Sequence, residues 1–186
     1  MTGLRWVYAR LETVARDMNV ADSIDRGLTT WTRMTGTVVR GHGVASGFCG
    51  DPRFPGGTIA LQKPLFRSLG LNLDRFYSGT INLSVAPFIF KLKQACYRFR
   101  ELRWTDKAAA EDFSFIDCRV LQNGGTQLDG LIYYPHPETK PEHFQPPDIL
   151  EILTHRIHGL AYGDRLTIEV DQTQIQILGR DDNLGI

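Results

Sequence analysis

The chain has 186 residues, of which 42% are hydrophobic and 23% are charged. This balance is typical of one globular domain, with or without a small appendage, and it excludes a disordered chain. Lys plus Arg and Asp plus Glu both number 21, so the chain lacks the overall basic field that attracts nucleic acid, and its composition argues against a nucleic-acid-binding protein.

Membrane and export signals are missing from the sequence pattern. No apolar run approaches the roughly 20 residues that a membrane-spanning helix needs. The N-terminal segment contains Arg5 and Glu12, which a secretory signal would not carry. The cysteines Cys49, Cys96 and Cys118 are odd in number and form no CxxC pair, so we interpret them as free buried thiols. These features predict a cytoplasmic protein.

The spacing of apolar residues changes near Met34. Apolar residues from Leu4 to Met18 follow helical spacing, and a second short helix is predicted around Val20 to Trp31. From Met34 onward the sequence is β-branched and alternating. We therefore predict a helical N-terminal extension over residues 1–33 and a β-rich domain over residues 34–180.

The β-rich domain is predicted to contain many short strands and few helices. A short helix is expected over residues 63–70, ending at Gly70. A helix is also expected from Asp148 to Gly159, after a proline-rich connection over residues 136–147. Strand patterns cover residues 34–40, 80–85, 97–104, 112–121, 128–135, 165–171 and 173–179, with a hairpin signal at 123–125 and a tail at 180–186. The pattern predicts a mainly β protein, a small β-barrel with short helices that follows the N-terminal helical extension.

The stretch GHGVASGF, residues 41–48, is the first candidate for chemistry. A glycine-rich backbone approaches phosphate closely and offers it N–H groups. The loop matches neither a Walker A motif nor a GxGxxG fingerprint that opens a helix. A simple barrel turn and an anion-binding loop are both compatible with these residues.

Thr80 and Asn82 form the second candidate. They are two residues apart on the polar face of a predicted strand, and Asn is disfavoured in strands. One interpretation is a solvated face. The other is a pair of hard oxygen ligands for Mg²⁺, with a polyphosphate supplying the negative charge that these neutral side chains lack.

The predicted helix from Asp148 to Gly159 holds two further candidates. Glu151 lies within an apolar stretch and either faces water or accepts hydrogen bonds from a polar ligand in a pocket. His155 and His158, three residues apart, either bind Zn²⁺ or complement the dipole at the helix C-terminus. Four scattered aromatic residues are interpreted as core and rim rather than as a stacking platform: Tyr133, Tyr134, Phe144 and Tyr162.

These pieces, read together, resemble the CTP-dependent riboflavin kinase family known from archaea. GTVVRGHGVASGF, residues 36–48, is similar to the family's strand and G-x-G-x-G-x-x-F loop, with Ala45 at the third glycine. GTIN, residues 79–82, is similar to the family's G-T-L-N. The stretches LDGLIYYP (128–135), DILEIL (148–153) and YGDRLTIEV (162–170) then follow in the family's order.

The resemblance implies a cradle-loop β-barrel that transfers the γ-phosphoryl group of CTP to the 5′-hydroxyl of riboflavin, giving FMN and CDP. It implies that Thr80 and Asn82 hold Mg²⁺ and act in catalysis with Glu151. It also implies that Glu151 and Thr139 contact the flavin. Two segments are implied to bind the cytidine nucleotide, the phosphate loop (Gly41, His42, Gly43, Val44, Ala45, Ser46) and a later turn (Arg156, Ile157, His158, Gly159).

Two alternatives stay open from the sequence. One is a nucleotide- or flavin-binding module of the same fold without catalysis. The other is a barrel that contacts protein or nucleic acid, with the N-terminal helix forming a homo-oligomer.

Overall fold

The computed structural model describes residues 30–122, 124–140, 142 and 145–179. The N-terminal helix, most of the second predicted helix, Asn123, Phe144 and the tail lie outside these residues. One helix is present in the described part, α1 (Thr58–Ser68). The strands are β1 (Trp31–Val39), β2 (Ile81–Ser84), β3 (Ile89–Leu92), β4 (Tyr97–Leu102), β5 (Glu111–Leu121), β6 (Gln127–Pro135), β7 (Ile149–Thr154), β8 (Arg165–Asp171) and β9 (Ile175–Leu178).

Six strands close an antiparallel β-barrel. Neighbours pair in the order β5-β6-β7-β2-β1-β8, and β8 returns to pair with β5. The long strand β5 makes closure possible, because its second half pairs with β8 while its first half pairs with β4 outside the ring. Strands β3 and β9 form a separate two-stranded sheet. The prediction of a mainly β protein with a β-barrel is confirmed.

Alternating residues fill the barrel interior. On β5, Ile116 and Val120 point inward, and on β7 Leu150 and Ile152 do the same; all four are fully buried. Leu83 of β2, also fully buried, packs among them. Since side chains alternate along a strand, the residues between these positions lie on the outer face of the barrel.

A second apolar cluster joins α1 to that outer face. Phe66 of α1 is fully buried and contacts the rings of Phe113 and Phe115 edge-on, with centroid distances of 5.5 and 5.0 Å. Phe99 of β4 lies 5.1 Å from the same ring. These contacts fix the helix against β4 and β5. It begins at Thr58, earlier than predicted, and Gly70 follows it with a positive φ of 94°.

The predicted helix from Asp148 to Gly159 is wrong. Residues 149–154 form β7, which pairs with β2 on one side and β6 on the other. The run ILEIL is too short for its periodicity to separate helix from strand, and the two partner strands decide in favour of the strand. His155 and His158 follow in a turn, so the argument from a shared helix face fails for both.

Smaller differences concern the chain start and the thiols. Trp31 opens β1, so the strand begins inside the segment 1–33 that was assigned to the helical extension. The three cysteines are free, but Cys118 is buried whereas Cys49 and Cys96 are exposed. The hairpin between β5 and β6 is confirmed by the hydrogen bond from Gln122 N to Thr126 O at 2.8 Å. Within the described residues, no helix is both long and apolar enough to cross a membrane.

Candidate functional site

A cavity of about 660 Å³ lies on the outer side of the barrel between the glycine-rich loop, β2 and β7. All residues from Gly41 to Ser46 line it, together with Thr80, Asn82 and Glu151. Its volume falls within the range of about 300–1,000 Å³ that is usual for small-molecule sites. The fold thus brings three segments that are distant in the sequence to one place.

The register between β2 and β7 places two polar residues side by side at this cavity. In the antiparallel pairing of β2 with β7, Asn82 is the direct partner of Glu151. Directly opposed residues project from the same face with Cβ atoms about 5 Å apart. Leu83 and Leu150, the next residues along, point into the barrel. Asn82 and Glu151 therefore both face outward, into the cavity.

Asn82 is held in an unusual environment for a polar side chain. It is only 8% exposed, so it does not lie on a solvated strand face. Its Oδ1 atom has no hydrogen-bond partner among the described residues. A buried acceptor without a partner is unfavourable and rare in folded proteins, and a bound cation or a ligand donor at Oδ1 would relieve that penalty.

Gly41 makes this position of Asn82 accessible. A Cβ atom added to Gly41 would lie 1.5 Å from Asn82 Nδ2. No real Cβ could occupy that space without displacing the amide. Gly41 does not have a positive φ, so its backbone conformation does not require glycine. The close packing against Asn82 does.

The loop itself is a tight, internally bonded turn. Gly43 has a φ of 74° and accepts a hydrogen bond from Cys49 N at 3.2 Å. The carbonyl groups of Val44 and Ala45 accept from the first N–H groups of α1, Thr58 N at 3.1 Å and Ile59 N at 3.3 Å. The N-terminus of α1 is thus occupied by the loop. Ala45 does not need a positive φ, so it meets no strain where the family has glycine.

Unused backbone donors remain in the same loop. Within the described residues, the N–H groups of Val44, Ala45 and Ser46 donate to no backbone or side-chain acceptor. Consecutive N–H groups after a left-handed residue form a concave anion-binding arrangement. The loop therefore has the donors that a phosphate group requires.

Glu151 is a carboxyl group with a raised pKa. Burial removes water from it and raises the pKa above the usual 4.5, while the positive charge of Lys140 and the hydrogen bond from Gln145 oppose that rise. Gln145 Nε2 donates to Glu151 Oε1 at 2.8 Å. The group is thus oriented, and its second oxygen has no protein donor in the described part of the chain.

The cavity lining is locally basic although the chain is neutral. Arg40, His42 and Lys140 line it, and Glu151 is the one carboxylate among the described lining residues. A cluster of this sign favours an anionic ligand. Lys140 was missed by the sequence analysis because nothing in its proline-rich connection distinguishes it from a solvated lysine.

The predicted cytidine-binding segment lies beside this site. Residues 156–159 line a second cavity of about 310 Å³. It shares five lining residues with the first, namely Phe48, Tyr77, Thr80, Ile81 and Leu160. The two cavities are therefore adjacent along these side chains. Tyr77 carried no signal in the sequence beyond its place before the GTIN stretch.

Thr139 is not brought into the main cavity. Its hydroxyl accepts a hydrogen bond from Asp112 N at 2.8 Å and donates to His136 O at 3.1 Å. It lines a smaller cavity of about 120 Å³ with Glu111. In this arrangement the hydroxyl of Thr139 stabilises the turn after β6.

The oxygen atoms of Thr80 and Asn82 are suited to Mg²⁺, which prefers hard ligands and commonly takes phosphate oxygens as well. Across the residues that the structure describes, no group of three or more His, Cys, Asp or Glu side chains is placed to hold a metal ion. The unpartnered Oδ1 of Asn82 is the observation that fits a cation at this place.

Comparison of the chain with protein-family models, curated proteins and solved structures found no match. The resemblance to CTP-dependent riboflavin kinases, and the ligand roles that it implies, therefore stay predictions.

Proposed function

We propose that this protein is a riboflavin kinase of the CTP-dependent type, which transfers the γ-phosphoryl group of CTP to the 5′-hydroxyl of riboflavin. The observation that carries the proposal is the meeting of the glycine-rich loop, Asn82 and Glu151 at one cavity. Their convergence provides an anion-binding turn, a hard ligand and an oriented carboxyl group in one site.

The phosphate chain would lie against residues 41–46. The free N–H groups of Val44, Ala45 and Ser46 would bind its oxygens, and Lys140 and Arg40 would balance part of its charge. Phosphoryl transfer depends mainly on positioning and electrostatic stabilisation, and these groups supply both without covalent chemistry by the protein.

Thr80 and Asn82 would hold Mg²⁺. When bound, the ion would neutralise charge on the β- and γ-phosphoryl oxygens. The burial of Asn82 fixes its amide before the ligand arrives, because Gly41 packs on one side of it and β7 on the other.

Glu151 would accept a hydrogen bond from riboflavin and receive the proton of the attacking hydroxyl. The new bond joins the 5′-oxygen to the γ-phosphorus, the bond from that phosphorus to the β-bridging oxygen breaks, and CDP leaves. A carboxyl group whose pKa is raised by burial is a better proton acceptor near neutral pH than an ordinary glutamate.

The test is an assay of FMN formation from riboflavin with CTP, and separately with ATP, in the presence of Mg²⁺. We expect FMN with CTP and loss of product when Mg²⁺ is chelated. If neither nucleotide yields FMN but CDP or FMN raises the melting temperature, the protein is a binding module and the kinase proposal is wrong. If neither ligand changes the melting temperature, both functions are contradicted, and a barrel that contacts macromolecules is favoured.

A further inference from the structure

Three aromatic side chains are exposed at the edge of the main cavity. Phe48 is 81% exposed, Tyr162 68% and Tyr77 40%, and all three line the cavity. We call them the aromatic rim. Single exposed apolar side chains are normal, but several of them around one cavity indicate a binding surface.

Phe48 projects from a fixed backbone. The turn beneath it is closed by the hydrogen bonds from Cys49 N to Gly43 O and from Gly50 N to Gly47 O, at 3.2 and 3.1 Å. Gly47 has a φ of 80°, and a Cβ atom there would lie 2.8 Å from Gly57 N. The chain thus holds an exposed ring on a rigid turn, an arrangement that lowers the entropy lost when a ligand binds.

Two members of the aromatic rim lie where the two cavities adjoin. Phe48 and Tyr77 line both the cavity at the glycine-rich loop and the one at residues 156–159. The guanidinium group of Arg156 lies 5.7 Å from the centre of the Tyr77 ring. A ligand with its phosphates at the loop and a planar group directed toward Arg156 would extend from one cavity to the other, past the side chains of Phe48 and Tyr77 that line both.

We propose that Phe48 stacks on the base of the nucleotide whose phosphates the glycine-rich loop holds, an inference that rests on the proposed function. Aromatic side chains stack on every base because each has a π-face, so this contact gives affinity without choosing among bases. The choice of cytosine is then left to hydrogen bonds elsewhere in the site. The occupant is a nucleoside di- or triphosphate, not a bare polyphosphate.

The experiment compares CDP with tripolyphosphate, which has phosphates but no base. Binding of each, with Mg²⁺, is measured by titration calorimetry on the full chain and on Phe48→Ala, Phe48→Leu and Phe48→Tyr. Phe88→Ala is the matched control, because Phe88 is also exposed, at 47%, and lines neither cavity. Since Phe48 is exposed, its replacement should leave the melting temperature unchanged.

We expect Phe48→Ala and Phe48→Leu to weaken CDP binding about five-fold or more, which is about 1 kcal/mol. Phe48→Tyr and Phe88→Ala should bind CDP as the wild type does, and tripolyphosphate binding should be equal in all variants. Unchanged CDP binding in Phe48→Ala, or an equal loss of tripolyphosphate binding, would overturn the stacking role while leaving the proposed function intact. A wild-type chain that binds neither probe would overturn the proposed function itself.

Discussion

Asn82 of β2 and Glu151 of β7 are direct partners across an antiparallel pair, and both face the same cavity outside the barrel. Asn82 carries a buried oxygen without a partner among the described residues, and Glu151 carries a partly buried carboxyl group whose pKa is raised. Neighbouring polar groups of this kind are unfavourable in a structural core, where apolar residues would pack equally well. Their position argues for a ligand that uses both.

Replacing Asn82 should separate function from stability. In Asn82→Ala we expect FMN formation to fall by roughly 100-fold or more, as for loss of a group that stabilises developing charge. The melting temperature should stay the same or rise, because the substitution removes a buried acceptor that has no partner in the described part of the chain.

Ser84→Ala is the control for this variant. Ser84 lies two residues further along the same strand and points to the same face. Its hydroxyl donates a hydrogen bond to Asp148 Oδ2 at 3.1 Å, and it does not line the cavity. The Ser84→Ala variant should therefore form FMN at the wild-type rate. An Asn82→Ala enzyme with near-normal Mg²⁺-dependent turnover would show that the GTIN stretch is structural.

Replacing Gly41 tests whether close packing fixes the amide. The Cβ of Gly41→Ala would overlap Asn82 Nδ2, so Asn82 must move. We expect a loss of about 1–3 kcal/mol in the free energy of unfolding together with loss of activity. Gly56→Ala is the matched control, because no atom of the described residues lies within 4 Å of its Cβ position. Its free energy of unfolding, measured in urea, should equal that of the wild type. Equal effects of the two substitutions would contradict the packing argument.

The raised pKa of Glu151 has a defined consequence for stability. The folded protein keeps the proton on this carboxyl to higher pH than the unfolded chain does, so the contribution of Glu151 is fully present below its ordinary pKa of 4.5 and is lost as pH rises through the folded value. In Glu151→Gln this loss disappears, and Gln145 still has an oxygen to which it donates. The difference between the two unfolding free energies, measured by urea titration from acid to neutral pH, should grow in favour of the variant as pH rises.

Burial also raises the pKa of Glu111. Its contribution to the free energy of unfolding is therefore lost as pH rises, in the same direction as that of Glu151. Glu111→Gln combined with Glu151→Gln should therefore remove more of the pH dependence than either change alone. A difference that is flat with pH would show that Glu151 is not desolvated in the folded protein.

The packing of α1 against the barrel is tested by Phe66→Ala. Phe66 is fully buried among the rings of Phe99, Phe113 and Phe115, and its loss should lower the free energy of unfolding by about 3–5 kcal/mol. Leu61→Ala on the same helix, where the side chain is half exposed, should change it by less than about 0.5 kcal/mol. Chemical denaturation of the two variants measures both values, and similar losses would mean that the helix is not anchored through Phe66.

The strand pattern could be predicted because it depends on neighbours in the sequence. The alternation of Ile81, Leu83 and Val85 with polar residues predicts that Asn82 lies on the polar face of its strand, opposite the apolar side chains. The segment from Asp148 to Gly159 could not be assigned correctly in this way, because a five-residue apolar run fits both periodicities until β2 and β6 pair with it.

The amino-acid sequence by itself determined the β-rich character, the glycine turn and the polar positions within otherwise apolar strands, since each follows from local sterics and side-chain alternation. Only the tertiary structure decided that Asn82 faces Glu151, that Gly41 packs on the amide, and that Lys140 and Phe48 border the same cavity. These relationships arise from strand register and barrel closure, which depend on contacts between residues far apart in the chain, and no local pattern encodes them.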